Sequence, residues 1–299
     1  MRKHTTISLL FLVLLSSLLM STTLVLNIKP QEKLLYISKR GAGFDIYKNT
    51  LNGQNETQLT TLEGWEWQTQ YIKKLGKQRH LILFNSQNKK EGFRMRAMDR
   101  QGNPVNLNTK GLPAFDMSPN GQWVVYNRKQ GKATHIILVP FAHPQDSIQI
   151  TSGRHYHGRM KWSPDSRRIS FISDKSGSNE IYVYRLKSKK TERITNNQVR
   201  EKYCTWAPNG RQIITSMQKG KANNDLFLID LKTRQTMRLT DTPSIHESEI
   251  AWSPSGKYVA YHAKVAGKDD IFLLTLKTKK VTKITQGQGY HGEPGWIVE

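Results

Sequence analysis

The chain has 299 residues, and 46 Lys plus Arg against 23 Asp plus Glu give it a formal net charge of +23. Its 36% hydrophobic content excludes a disordered chain and a protein with many membrane spans. The single cysteine, Cys204, excludes an internal disulfide framework and any zinc or iron–sulfur site built from several cysteines.

An apolar segment follows a basic N-terminal flank at 1–6. Arg2 and Lys3 precede the twenty uncharged residues 7–26, and a helix of that length rises about 30 Å, enough to cross a bilayer. This order predicts export by an N-terminal hydrophobic helix, which is either an uncleaved transmembrane anchor or a cleaved signal peptide. We therefore expect the chain beyond a linker at 27–32 to be periplasmic, anchored to the inner membrane or released.

A repeated Leu/Ile-Thr pair organises residues 33–299. Its threonine recurs every 42 to 49 residues, with one degenerate copy at Thr109, and the positions are Thr60, Thr109, Thr151, Thr195, Thr240 and Thr285. Repeats of this length occur in solenoids and propellers. Because the units show short strands and turn residues but no helical period, we predict four-stranded propeller blades.

A second motif, Trp-x-Pro, marks a tight turn after the first strand of a unit. It begins at Trp162, Trp206 and Trp252, and Met117 takes the tryptophan position one unit earlier. Pro fixes φ, Asp or Asn bonds back to the backbone, and Gly takes positive φ, as such a turn requires. An alternating apolar strand follows each turn.

These motifs resemble the propeller repeat of the TolB family, most closely over 162–195. The resemblance covers roughly 33–299, and it implies an all-β, six-bladed propeller with a role in the cell envelope. We expect the propeller alone, without the α/β domain that precedes it in TolB itself.

Strand counting predicts how the six blades close into a ring. Lys33 begins at a second-strand position, so the first unit lacks its inner strand. The segment 291–299 matches the start of a unit, with Trp296 in the tryptophan position. We expect this last strand to lie beside 34–37, where it would complete the first blade and remove its open edge.

One mouth of the channel is predicted to carry a ring of histidines and carboxylates. Counting five residues back from the inner-strand aromatics gives Glu66, His157, Glu201, Glu247 and His291. The nearby histidines His155 and His246 are added to this ring. These side chains could bind a cationic peptide group, or they could cap loop backbones around a hydrated funnel. We expect no cofactor, and the weak candidates for a metal site are His157, Glu201 and Glu247.

The opposite face carries the third-to-fourth-strand turns, which are dense in cations: Lys187, Lys189, Lys190, Lys232, Arg234, Lys277, Lys279 and Lys280. The linker reaches at most about 20 Å, so this face would lie near the membrane. There each Lys or Arg gains on the order of 1 kcal/mol from anionic lipid. A surface that is basic everywhere explains the same residues without membrane contact.

Two functions remain open. The chain has no G-x-S-x-G elbow and no P-loop, and export argues against a nucleic-acid partner. We favour a monomeric, non-catalytic TolB-like module of the bacterial cell envelope that binds a protein or peptide at the channel mouth. The alternative is a metal-dependent, lyase-like enzyme acting on an acidic oligosaccharide, which the positive charge would attract.

Overall fold

The computed structural model describes residues 31–107, 109, 112, 116–197, 199–219, 223–242 and 245–299. In these ranges the chain is all β, and no helix is long and apolar enough to cross a membrane. The hydrophobic helix expected at 7–26 lies outside the described residues. The strands are β1 (Glu32–Lys39), β2 (Asp45–Asn49), β3 (Thr57–Gln58), β4 (Trp65–Leu75), β5 (Gln78–Asn88), β6 (Gly92–Met98), β7 (Pro104–Val105), β8 (Asp116–Met117), β9 (Trp123–Gln130), β10 (Ala133–Pro140), β11 (Ile148–Gln149), β12 (His157–Trp162), β13 (Arg168–Ser173), β14 (Glu180–Arg185), β15 (Lys190–Arg193), β16 (Glu201–Trp206), β17 (Gln212–Lys219), β18 (Asn223–Asp230), β19 (Thr236–Arg238), β20 (His246–Trp252), β21 (Tyr258–Val265), β22 (Lys268–Thr275), β23 (Lys280–Lys283) and β24 (Tyr290–Val298).

The strands form blade-like antiparallel sets. Three of these sets are separate four-stranded sheets: β4 to β7, β8 to β11 and β12 to β15. The sets β16 to β19 and β20 to β23 belong to a larger sheet, which also contains β24, β1, β2 and β3 in that order. Single parallel bridges, Asn224 to His246 and Asp269 to Tyr290, join the three sets of this larger sheet.

The Trp-x-Pro segments are tight turns between first and second strands. In one of them the Gly210 N–H donates to the Ala207 carbonyl at 2.9 Å, and the Ala207 N–H donates to the Gln212 carbonyl at 2.9 Å. Gly210 has φ +64°, and Ser166 takes the same left-handed conformation, φ +58°, in the preceding unit. The turn reverses the chain so that the first and second strands pair.

The hydrophobic core lies between neighbouring sheets. One cluster, for example, joins Val125 of β9 to Phe171 of β13. The motif tryptophans sit at these contacts, and the Trp206 indole N–H donates to the Lys161 carbonyl of the preceding first strand at 3.0 Å. Trp206 therefore both packs and hydrogen-bonds its blade to the one before it.

At five of its six positions the repeated threonine follows the fourth strand and makes a specific hydrogen bond. The Thr195 hydroxyl accepts the Ile181 N–H at 2.8 Å, and the Thr240 hydroxyl accepts the Leu226 N–H at 2.9 Å. The same bond occurs at Thr60, Thr151 and Thr285. Because the short fourth strand has ended at this point, it offers no backbone carbonyl to this N–H of the third strand. The threonine hydroxyl accepts the N–H instead.

The last strand pairs with the first. β24 runs antiparallel to β1, with Trp296 opposite Leu34. The Trp296 indole N–H donates to the Ala251 carbonyl at 3.1 Å, and Trp296 and Leu34 belong to one core cluster. Lys33 and Glu299 form an ion pair at the end of this strand pair. The chain end is thus built into a sheet with β1, β2 and β3.

Candidate functional site

The structure buries five of the seven predicted mouth residues. Glu66, His157, Glu201, Glu247 and His291 lie at or near the starts of first strands, and none is more than 2% exposed. Their side chains point into the protein, and four of them have hydrogen-bond partners, whereas neither ring nitrogen of His291 has one among the described residues.

Hydrogen bonds tie these carboxylates to the preceding blade. The Thr240 hydroxyl donates to Glu247, and the Thr242 hydroxyl donates to the same carboxylate at 2.8 Å. The Thr60 hydroxyl donates to Glu66 in the same way. Because the Thr60 and Thr240 hydroxyls also accept a backbone N–H, the carboxylate completes a network that joins one blade to the next.

Burial changes the charge of this ring. It raises the pKa of Glu66, Glu201 and Glu247 to about 7 each, and hydrogen bonds from threonine and asparagine side chains offset only part of the rise. Burial also lowers the pKa of His157 and His291. The ring therefore carries less charge near neutral pH than its sequence indicates.

His155 and His246, the other two candidates, present their side chains to solvent. His155 is 44% exposed, with its Nδ1 3.6 Å from Asp174 Oδ1, and His246 is exposed at the start of β20. These two histidines are therefore accessible to a partner.

The three weak metal candidates lie on three different first strands, β12, β16 and β20. Each has its own partner: His157 Nε2 contacts the Ser152 carbonyl at 3.1 Å, Glu201 accepts from Asn197 at 2.9 Å, and Glu247 binds its threonines. Across the described part of the chain, no three His, Cys, Asp or Glu side chains come together as a metal site.

A cavity of about 390 Å³ lies between the first strands. The polar residues that line it include Gln68, Arg159, Tyr203, Glu249 and Glu293. Each stands two positions after a predicted mouth residue, at Glu66, His157, Glu201, Glu247 and His291 respectively. The cavity is thus lined by residues two positions beyond those predicted from the sequence.

β-Bulges explain this offset of two residues. The pairing of first and second strands shifts register in these blades, for example between Trp67 and Gln70 and between Ser248 and Ala251. A bulge inserts an extra residue and turns its side chain in a new direction. Because the inserted residue differs in type from blade to blade, no repeated residue type marks its position in the sequence.

Five aromatic side chains form an aromatic rim at the cavity, and Trp65 and Phe93 are its exposed members whereas the other three are half-buried: Phe44, Trp65, Trp67, Phe93 and Tyr290. Trp65 is 59% exposed and Phe93 is 57% exposed. Phe44 makes edge contacts with Trp65 and Tyr290, with ring centroids 6.0 and 5.6 Å apart, and Trp67 contacts Phe93 at 5.8 Å. Trp67 also lines the cavity, so the two surfaces are continuous.

The eight predicted membrane-surface residues occupy equivalent turns between third and fourth strands. Lys189, Arg234 and Lys279 share a left-handed conformation, with φ of +53°, +63° and +58°. Arg234 is half-buried and pairs with Glu192, whereas the exposed members are Lys187, Lys189, Lys190, Lys232, Lys277, Lys279 and Lys280. We call these eight residues the cationic turns.

Comparison with known families agrees with the motifs and the sheets. The TolB beta propeller domain matches residues 144–299, which is more than half of the chain. The chain belongs to the TolB propeller family. The resemblance inferred from the Leu/Ile-Thr and Trp-x-Pro repeats is thereby confirmed.

Solved structures share the TolB-like fold. The chain is 16% identical to TolB from Acinetobacter baumannii, over 89% of this chain and 66% of that one, with a TM-score of 0.71. A putative TolB from Agrobacterium tumefaciens is 15% identical over 90% of this chain and 98% of that one, with a TM-score of 0.66. An oligogalacturonate lyase in complex with manganese is 15% identical over 85% of this chain and 74% of that one, with a TM-score of 0.50. At these identities the likeness shows the fold alone.

Proposed function

We propose that this chain is a non-catalytic, TolB-like propeller module of the bacterial cell envelope that binds a protein or peptide at the mouth of its channel. In this proposal residues 33–299 form a six-bladed ring that β24 closes by completing the first blade. Segment 7–26 directs the ring to the periplasm, where it is anchored to the inner membrane or released after cleavage.

Contacts on both sides of β24 support closure. On one side Trp296 bonds to the Ala251 carbonyl as Trp206 does to its own preceding strand. On the other side Gly295 packs against β4, and a Cβ at Gly295 would stand 2.3 Å from the Thr69 hydroxyl. The lack of a side chain at Gly295 allows this close approach, so β24 contacts β4 as well as the first strand that precedes it.

The aromatic rim is the observation that carries the binding proposal. Large exposed aromatic side chains beside a concave cavity are typical of protein-binding surfaces, where a few aromatic anchors supply most of the binding energy. The exposed histidines His155 and His246 add hydrogen-bonding groups near the starts of first strands. In this proposal the five buried ring residues hold those strand starts in place from beneath.

Site-specific cross-linking tests the proposal. A photo-cross-linking amino acid replaces Phe93 in the full-length chain, which is expressed in its own bacterium. We expect a discrete product of higher mass that disappears when Trp65→Ser is added, because both aromatic side chains contact the partner. The matched control carries the same amino acid at Met237, which is also half exposed but lies on β19. No product from position 93, or the same product from position 237, would contradict the proposal.

The cationic turns support a second contact, with an anionic membrane surface. They share the face at which β1 begins, since Glu32 accepts a hydrogen bond from the hydroxyl of Ser255 in a Trp-x-Pro turn at 2.8 Å. A ring tethered through segment 7–26 would therefore present these lysines to the lipid headgroups.

A further inference from the structure

The cavity inside the proposed channel is lined by charged side chains that have no part in partner binding at the aromatic rim. Glu249 of β20 and Glu293 of β24 line it on neighbouring first strands, and we call them the acidic wall. Arg159 and Lys161 of β12 line it as well, and we call them the basic wall. In the proposed ring β12 stands opposite β24, so the cavity is negative on one side and positive on the other.

The backbone holds several of these residues in an unusual conformation. Gln68, Arg159, Glu249 and Glu293 have φ of +56°, +55°, +47° and +49°, and all four line the cavity. A left-handed conformation costs a residue other than glycine about 1–2 kcal/mol. Positions that retain such strain cluster at functional sites, and here the bulge aims a polar or charged side chain at the same space each time.

No ion pair joins the two walls among the described residues. Among the described residues, Arg159 and Lys161 form no ion pair, and the Arg159 guanidinium instead lies 4.3 Å from the centroid of the Tyr203 ring. Glu249 accepts the Tyr290 hydroxyl at 3.2 Å and the Glu293 N–H at 2.8 Å. The Glu293 carboxylate accepts no hydrogen bond from any described residue, so its oxygens are free to bind a ligand.

The charges in the cavity favour one ligand class over its alternatives. Burial and the neighbouring Glu249 raise the pKa of Glu293, whereas Lys161 and Arg159 lower it. A cation bound at the acidic wall would stabilise both carboxylates in their ionised form. A ligand with positive charge alone would leave the basic wall unpaired, and a ligand with negative charge alone would face the acidic wall.

We propose that this cavity binds a small zwitterionic ligand of di- to tetrapeptide size, with its ammonium group at Glu249 and Glu293 and its carboxylate at Arg159 and Lys161. The cavity volume of about 390 Å³ lies within the range of small-molecule sites. An extended peptide of two to four residues spans about 7 to 14 Å between its charged termini.

Calorimetric titration of the full-length chain with glycine, diglycine, triglycine and tetraglycine tests the proposal. We expect at least one of the peptides to bind and free glycine to bind most weakly, since its two charges are too close to reach both walls. N-acetylation or C-terminal amidation of the best peptide should weaken binding by about tenfold or more, the effect of losing a charge-assisted hydrogen bond.

Two variants assign each end of the ligand to its wall. Glu293→Gln should weaken binding of the free peptide and abolish the effect of N-acetylation, and Arg159→Gln should do the same for C-terminal amidation. Glu63→Gln, at an exposed glutamate outside the cavity, serves as the control. No binding by any peptide, equal binding of free and blocked peptides, or wild-type behaviour of both variants would overturn the proposal. The blocked peptides test the wild-type chain itself, so an unstable variant does not remove the test.

This inference does not depend on the rim. The cross-link from position 93 requires neither Glu293 nor Arg159, and the peptide titrations require neither Phe93 nor Trp65. Failure of one experiment therefore leaves the other to be judged independently.

Discussion

Trp296 lies directly opposite Leu34 in the antiparallel pair formed by the last strand and the first. Both side chains are buried in one core cluster, and the Trp296 indole reaches the Ala251 carbonyl of the neighbouring first strand. A single residue near the C-terminus thus joins the beginning of the propeller to its final repeat. If the ring is closed there, its stability depends on this contact.

The first prediction concerns that contact. Trp296→Ala removes a buried aromatic ring and its hydrogen bond, so we expect the free energy of unfolding to fall by about 3–5 kcal/mol. That is a large share of the roughly 5–15 kcal/mol typical of a folded domain. Urea unfolding measures the loss, and Trp65→Ala is the control because Trp65 is 59% exposed. Equal losses in the two variants would contradict the role given to Trp296.

The second prediction concerns the repeated threonine. Thr240→Val keeps the shape of the side chain but removes the hydroxyl that accepts the Leu226 N–H and donates to Glu247. We expect a loss of about 1–3 kcal/mol, which is about 0.5–1.5 kcal/mol for each of the two hydrogen bonds removed, since the Leu226 N–H still donates to Glu247 at 3.1 Å. Thr236→Val on β19 is the matched control, since Thr236 is exposed. If the two variants unfold at the same urea concentration, the threonine does not stabilise the seam.

The sequence was sufficient to predict the family and the repeat because both depend on local chemistry. The turn after Trp206 needs a glycine at positive φ. A threonine hydroxyl, such as that of Thr240, is needed wherever a short fourth strand ends, so these residue types recur in the sequence. The residues of the cavity could not be predicted in this way. Counting back from the aromatics assumed regular strands, which led to Glu247, whereas the bulge turns Glu249 into the cavity.

The aromatic rim was missed for a different reason. Phe44 and Phe93 lie far apart in the chain, and neither belongs to a repeated motif. They come together only through the placement of blades, with Phe44 against Trp65 and Phe93 against Trp67. A surface built from residues that differ between repeats carries no periodic signal in a single sequence.

The third prediction is a pH dependence of stability. Burial raises the pKa of Glu66, Glu201 and Glu247 from 4.5 to about 7, so between these values these three carboxyls bind more protons in the folded chain than in the unfolded chain. These three groups therefore make the free energy of unfolding fall as pH rises through this window, by up to about 1.4 kcal/mol per pH unit for each group. His157 and His291, whose pKa values are lowered, oppose this trend below pH 6.5.

Glu247→Gln isolates one of these contributions. We expect its free energy of unfolding to depend less steeply on pH than that of the wild-type chain between pH 4.5 and 7, because one titrating group is gone. Urea unfolding across the pH range measures the slope, with Glu63→Gln at an exposed site as the control. An unchanged slope in Glu247→Gln would show that the buried carboxyl does not retain its proton.

The last prediction concerns the cationic turns. Residues 31–299, without the apolar segment, should bind vesicles that contain phosphatidylglycerol, and the binding should weaken as ionic strength rises. Reversal of one exposed lysine in each of three turns, in the triple variant Lys187→Glu, Lys232→Glu and Lys277→Glu, should weaken it by about tenfold or more. The control triple variant makes the same change in net charge on the opposite face, at Lys89, Lys90 and Lys268, which are also exposed.

The comparison of these two variants separates a directed surface from a uniformly basic one. A membrane contact through the cationic turns requires the first variant to lose binding while the second retains it, because screened charges on the far face lie beyond the Debye length of about 10 Å. If both variants lose binding equally, net charge alone attracts the lipid and no particular face is presented. The positions of the lysines would then reflect a surface that is basic throughout, and the membrane-facing role of the turns would be wrong.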